Sequence, residues 1–170
     1  MDPLGKSPIP VLILIFGKTA MACCWLFFLV KPFGIDTMLY DSLWTRACGI
    51  VLFVTGVTLA GLSFFFLGKS LSVGLPEEKT ELKTGGVYRL TRNPIYLGAF
   101  LMCGGSCLYS IHPVNVLLLA ITIGVHHRIV KKEEEFLKQR FGQQWLDYKQ
   151  WVPRYIGRIG TAHNKGQNQV

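Results

Sequence analysis

Two short polar stretches interrupt an otherwise apolar chain, and both carry side chains able to do chemistry. The first is Gly85-Gly86-Val87-Tyr88-Arg89-Leu90-Thr91-Arg92-Asn93-Pro94-Ile95-Tyr96-Leu97-Gly98. The second is His126-His127-Arg128, with Glu133-Glu134-Glu135 beyond it. Guanidinium groups bind carboxylates or phosphates, carboxylates bind hydroxyls or an ammonium, and tyrosine rings attract a cation. Such a set suits a small ligand with an anionic end, hydroxyl groups and a positive charge.

The elements that must position these residues are membrane helices. Of 170 residues, 50% are hydrophobic and 16% charged, against about 25% charged in an average soluble domain. No charge occurs in residues 47–67 or 94–125. This excludes an ordinary soluble domain, a disordered tail and a basic nucleic-acid-binding groove. We expect an all-α integral membrane protein with about four transmembrane helices, at 11–30, 47–67, 94–109 and 114–130. Ile111-His112-Pro113 turns the last two into a short helical hairpin, both arms being brief against the roughly 20 residues needed to cross. Lys18, inside the first segment, snorkels to the interface, and the segment is a span and not a cleaved leader ending at Ala20-Met21-Ala22. The five cysteines lack zinc-ligand spacing and read as small packing residues; no metal is expected. Gly56-x-x-x-Ala60 permits close helix contact and leaves the oligomeric state open. The net charge of +8 falls on one side: Lys6, the 69–93 loop and the tail from Arg128. Lys31 and Arg46 on the other side are balanced by Asp36 and Asp41. The asymmetry places both termini in the cytoplasm.

Hairpin geometry joins the two polar stretches. At about 1.5 Å per residue, Arg92 lies roughly 26 Å from the tip near Tyr109 and Glu133 roughly 29 Å along the other arm. Antiparallel arms therefore bring guanidinium and carboxylate to one height at the membrane surface. Beyond them Phe136, Leu137, Phe141, Trp145, Tyr148 and Val152 share one helical face, opposed by basic and polar residues. We expect a C-terminal amphipathic helix lying in the headgroup layer and covering the site. S-adenosyl-L-methionine matches the constellation: a carboxylate and amine, ribose hydroxyls, and a sulfonium beside the reacting methyl. Transfer from it requires alignment and exclusion of water.

The segment from about residue 84 to 154 resembles the isoprenylcysteine carboxyl methyltransferase / phospholipid methyltransferase superfamily. The residues that carry the resemblance are Gly86, Tyr88, Arg89, Arg92, Asn93, Pro94, Tyr96 and Gly98, then Glu133-Glu134, Phe141-Gly142, Tyr148 and Val152-Pro153-Arg154. The resemblance implies a methyltransferase core over 94–158; the hydrophobic and charge pattern places a pair of spans at 1–68 and a cytoplasmic loop at 69–93 before it, and a flexible tail at 159–170 after it. The resemblance also implies a cofactor set of Tyr88, Arg92, Asn93, Pro94, Tyr96, Gly98, His126, Glu133 and Glu134, and a catalytic set of Arg89, Arg92 and Arg154. In this scheme Arg92 and Asn93 hold the cofactor's amino-acid end. Glu133 or Glu134 takes its amine or ribose, and only one of the two neighbours faces the site directly. Arg89 and Arg154 meet the acceptor's carboxylate or an anionic headgroup. Asn93 stands where the family commonly has His, and Asn cannot shuttle a proton; His126 or His127 is placed to compensate.

The expected activity is methylation of a lipophilic acceptor reached from the bilayer, first an isoprenylcysteine-like carboxylate, alternatively the amine of an ethanolamine phospholipid. Other classes are a nicotinamide-dependent membrane reductase, a di-metal hydroxylase built on His126-His127, and a non-enzymatic membrane scaffold. Too few histidines exist for the hydroxylase.

Overall fold

The computed structural model describes residues 10–34, 39–67 and 82–157. Lys6, Asp36, Lys69, Lys79 and the 159–170 tail of the sequence reading lie outside them. Five α-helices follow in order: α1 (Val11–Val30), α2 (Leu43–Leu67), α3 (Pro94–Tyr109), α4 (Pro113–Phe141) and α5 (Gln143–Trp151). Among the described residues Tyr40 and Ile111 form one isolated bridge and no strand is present. Helices α1, α2 and α4 are long and apolar enough to cross a membrane, whereas α3 has 16 residues, about 24 Å. Side chains such as Leu12, Phe16, Val51 and Phe65 are exposed along α1 and α2, a surface that suits lipid and would be penalised in water. The chain is an integral membrane protein.

Local chemistry sets the helix ends. Ser42 and Thr45 bond each other's backbone N–H at 3.2 Å, so α2 begins four residues before the uncharged run does. Pro94 and Pro113 occupy first helical positions, and His112 Nδ1 accepts from the Val114 N–H at 3.2 Å. One expectation is corrected. The fourth segment does not stop at Val130 before a separate amphipathic helix; α4 continues for 29 residues to Phe141. Residues 131–140 are good helix formers with no breaker. Gly142, at φ 51°, supplies the break.

Helix α3 lies against α1, α2 and α4, and α1 packs antiparallel on α4. A seam of small residues lets α2 and α3 approach closely. A Cβ on Gly98 would sit 2.7 Å from the Gly56 carbonyl oxygen and 3.1 Å from Ala60 Cβ, and one on Gly105 would sit 2.6 Å from the Gly49 oxygen. The Gly56/Ala60 pair thus serves an internal contact. Cys24, Cys103 and Cys107 pack together between helices. Beside them Asn115 donates to Ser106 Oγ and the Ser110 carbonyl at 3.2 Å and accepts from Cys24 Sγ at 3.0 Å. Its amide is satisfied, as a buried polar group inside a bilayer requires.

At the hairpin-tip end, Lys31 is buried and donates to the carbonyl of Tyr109, where its charge complements the C-terminus of α3. It also meets Asp41 at 3.4 Å, and Arg46 Nε donates to the same carboxylate at 2.6 Å. The polar stretches gather at the opposite end.

Candidate functional site

Where α3 begins, four of the expected residues meet around one carboxylate. Arg92 lies 3.4 Å from Glu134 Oε1, the two side chains being only 6% and 7% exposed. Arg154 grips Glu134 from the other side, Nε to Oε1 at 3.1 Å and Nη2 to Oε2 at 2.7 Å. Asn93 Nδ2 donates to Glu134 Oε1 at 3.3 Å and to the Arg154 carbonyl at 3.2 Å. Thr91 Oγ1 donates to that carbonyl at 2.9 Å, and the Arg92 N–H donates to the Pro153 carbonyl at 2.9 Å. The start of α3, the middle of α4 and the C-terminal stretch are thereby tied through Glu134. Its hydrogen bond holds the Arg154 guanidinium above its ordinary pKa. Burial pushes Arg92 below its ordinary value, and Glu134 opposes that push.

Arg92 is not fully satisfied. Its Nε and Nη1 are buried and without a hydrogen-bond partner among the described residues. The guanidinium also lies 5.4 Å from the Trp145 ring centroid and lines a cavity of about 250 Å³. Tyr88, Trp145 and Tyr148 give this cavity aromatic walls; Leu67, Leu82, Phe136, Leu137 and Phe141 add apolar ones, and Lys83 and Arg140 complete the cationic lining. Among the described residues that line it, none is acidic. Tyr148 donates to the Tyr88 carbonyl at 2.6 Å, and burial pushes the Tyr88 phenol up to about 12, so it keeps its proton near neutral pH.

The apolar face of α5 turns inward. Trp145, Tyr148 and Val152 are buried against Leu82, Leu137 and Phe141, so the face expected to rest on headgroups instead walls the cavity. Leu90, Phe136, Trp151 and Ile156 are among the apolar side chains left exposed at this end.

The other expected residues fall into two groups. Tyr96 donates to Glu133 Oε1 at 2.7 Å, and its ring lies 5.9 Å from that of His126. His126 is buried and bonds the Thr122 carbonyl through Nδ1 at 2.8 Å; His127 Nδ1 meets the Tyr155 hydroxyl at 3.4 Å. Neither histidine hydrogen-bonds with the Asn93 cluster. Pro94 is buried at the start of α3 and Gly98 faces the α2 seam, both packing positions. Arg89 is exposed, apart from the ion cluster. Among the described residues no three His, Cys, Asp or Glu side chains are placed to share a metal ion. Sequence reasoning missed Thr91, Lys83 and Tyr155 as parts of this region. Trp145 was visible only as one residue of an apolar stripe: the pattern placed that stripe over the site without singling out the ring that meets Arg92.

A bundle of apolar helices with a charged site at one end defines a polytopic membrane protein. The family model described as phospholipid methyltransferase matches residues 44–144, more than half of the chain, and the chain belongs to that family. The match reaches back through α2, where the sequence shows hydrophobicity without a motif. Curated relatives include a protein-S-isoprenylcysteine O-methyltransferase of Rattus norvegicus, 32% identical over 114 residues, which are 65% of this chain and 40% of that protein. Protein-S-isoprenylcysteine O-methyltransferase B of Arabidopsis thaliana is 33% identical over 106 residues, 62% of this chain and 52% of that one. The Homo sapiens protein of the same name is 31% identical over 114 residues, 65% of this chain and 40% of its own length. The chain thus spans about half the length of the curated relatives it matches, or less.

Proposed function

We propose that this chain is an S-adenosylmethionine-dependent methyltransferase that acts, from within the membrane, on the carboxylate of a lipophilic, isoprenylcysteine-like acceptor. The observation that carries the reading is Arg92: a buried guanidinium with two donors unpartnered among the described residues, on the wall of an aromatic-sided cavity. A buried, unsatisfied donor is costly, and an amino-acid carboxylate would relieve it. Tyr88, Trp145 and Tyr148 suit a flat heteroaromatic base. Glu133 and Tyr96, one helical turn from Leu137 on the cavity wall, suit the cationic part of the cofactor. When bound, S-adenosylmethionine supplies an electrophilic methyl group on its sulfonium. The protein's part is to hold Arg92 in place through Glu134, present the cationic wall to an anionic acceptor, and keep water out with α5.

A carboxylate acceptor needs no base, whereas an ammonium must first lose a proton. Asn93 agrees with a carboxylate, since its amide donors are engaged by Glu134 and the Arg154 carbonyl. The site end, with Arg89, Arg128 and Lys131, faces the cytoplasm in this reading. The family's own description favours a second reading, N-methylation of a phospholipid amine.

The test is calorimetric titration of S-adenosylhomocysteine into the protein in lipid nanodiscs. Wild type binds, and Arg92→Ala weakens binding about 10- to 100-fold, as expected for lost hydrogen bonds to a charged group. No binding by wild type would overturn the proposal. Radiolabelled methyl transfer to a membrane extract then separates alkali-labile esters, expected here, from stable N-methyl products.

A further inference from the structure

Below the cavity, α4 carries a second polar position that the cofactor reading does not need. Arg140, Glu133 and His126 are spaced by seven residues, so they fall on nearly the same face, about 10 Å apart along the axis. His126 is therefore well inside the bundle, 4% exposed, beneath Tyr96 and Phe100, whose ring centroids lie 5.9 and 6.4 Å from its own. Its Nδ1 meets the Thr122 carbonyl at 2.8 Å. A carbonyl only accepts, so Nδ1 carries the hydrogen, and the neutral ring keeps a lone pair on Nε2. Nε2 has no partner among the described residues, and neither has the Oγ1 of fully buried Thr122 one turn away. A buried hydroxyl without a partner and an unbonded ring nitrogen on adjacent turns indicate that something else supplies the donor. The cover over them is thin: Phe100 and Tyr155 are half-buried, in edge contact at 5.4 Å, and Tyr155 stands on the irregular stretch after α5.

We infer that His126, assisted by Thr122, is a specificity-determining contact for the methyl acceptor, accepting a hydrogen bond from an N–H group carried beside the acceptor's reacting atom. The inference rests on the proposed methyltransferase reading and assigns His126 to the acceptor, on the bilayer side of the Glu133–Tyr96 pair. An N–H donor of this kind exists in an amide next to a prenylcysteine carboxylate; in an ethanolamine headgroup the N–H groups sit on the reacting nitrogen itself.

The experiment compares N-acetyl-S-farnesylcysteine, which has the amide N–H, with S-farnesylthiopropionate, which lacks it, and includes phosphatidylethanolamine as a third acceptor. Wild type is expected to show a KM about five- to tenfold lower for the acetylated cysteine, the usual worth of one hydrogen bond. In His126→Phe the preference disappears, and in His126→Gln, which retains an acceptor atom, it survives in part. S-adenosylhomocysteine affinity stays within about twofold in both variants, so a folding or cofactor defect is recognised separately. If only phosphatidylethanolamine is methylated, the inference is overturned, because its N–H groups sit on the reacting nitrogen. A preference that persists in His126→Phe overturns the inference while leaving the methyltransferase reading intact. Failure of wild type to bind S-adenosylhomocysteine removes both.

Discussion

Glu133 and Glu134 are adjacent, chemically identical and placed in different surroundings. Glu134 pairs with the Arg92 guanidinium and accepts hydrogen bonds from Arg154 and Asn93, whereas Glu133 has the Tyr96 hydroxyl. Their substitutions should therefore separate. Glu134→Gln leaves two guanidinium groups without their counter-charge in a buried cluster and should destabilise the protein by about 3 kcal/mol, measured by denaturant unfolding in mixed micelles. Glu133→Gln should leave the unfolding midpoint near wild type and weaken S-adenosylhomocysteine binding about three- to tenfold. The reverse pattern would mean that the buried carboxylate holds the ligand and the exposed one the fold. Asn93 belongs with Glu134: its amide is a clamp, and a histidine there would reach the same partners with fewer N–H groups.

The elements owe their limits to single residues and their arrangement to small ones. Helix α4 extends one long arm from the hairpin tip to the cavity because nothing breaks it before Gly142. That continuity fixes Glu134 relative to Asn115 and His126 on one rigid rod. At the far end, the junction of α1, α2 and α3 is held by Lys31, Asp41 and Arg46. The Arg46 hydrogen bond holds the Asp41 carboxyl down at about 2, below the roughly 3.9 of an unfolded chain. A lowered acid contributes stability above the unfolded value and loses it as pH falls through the folded one. Asp41→Asn should thus lower the thermal unfolding midpoint at pH 7 and make no difference near pH 2. A constant difference across that range would show that the ion pair does not link these elements.

On the scale of the whole molecule, the antiparallel packing of α1 with α4 and α2 with α3 sets two chemically distinct ends about one bilayer apart. One end carries the Lys31–Asp41–Arg46 group and the other the arginine-rich site. In a variant with Cys23 and Cys48 replaced by Ser, Arg89→Cys should react with an impermeant maleimide only from the cytoplasmic side of sealed vesicles. Leu39→Cys, exposed at the tip end, should react only from the opposite side. Labelling of both from one side would refute the orientation.

Much of this was legible from pattern alone, because a bilayer demands long apolar helices and a three-residue turn leaves α3 and α4 no arrangement but antiparallel. The meeting of Arg92 with Glu134 follows from those two constraints and the helical rise. Spacing on a helix does not say what covers it, so the pattern left open which of two neighbouring glutamates is buried. It placed an amphipathic helix over the site without showing which of its rings meets Arg92, and it did not show that the Gly56 seam is satisfied within the chain. Those outcomes depend on segments far apart in sequence, such as Arg154 reaching Glu134 or Leu82 reaching Trp145, and packing between them is what leaves two donors of Arg92 buried and unpartnered.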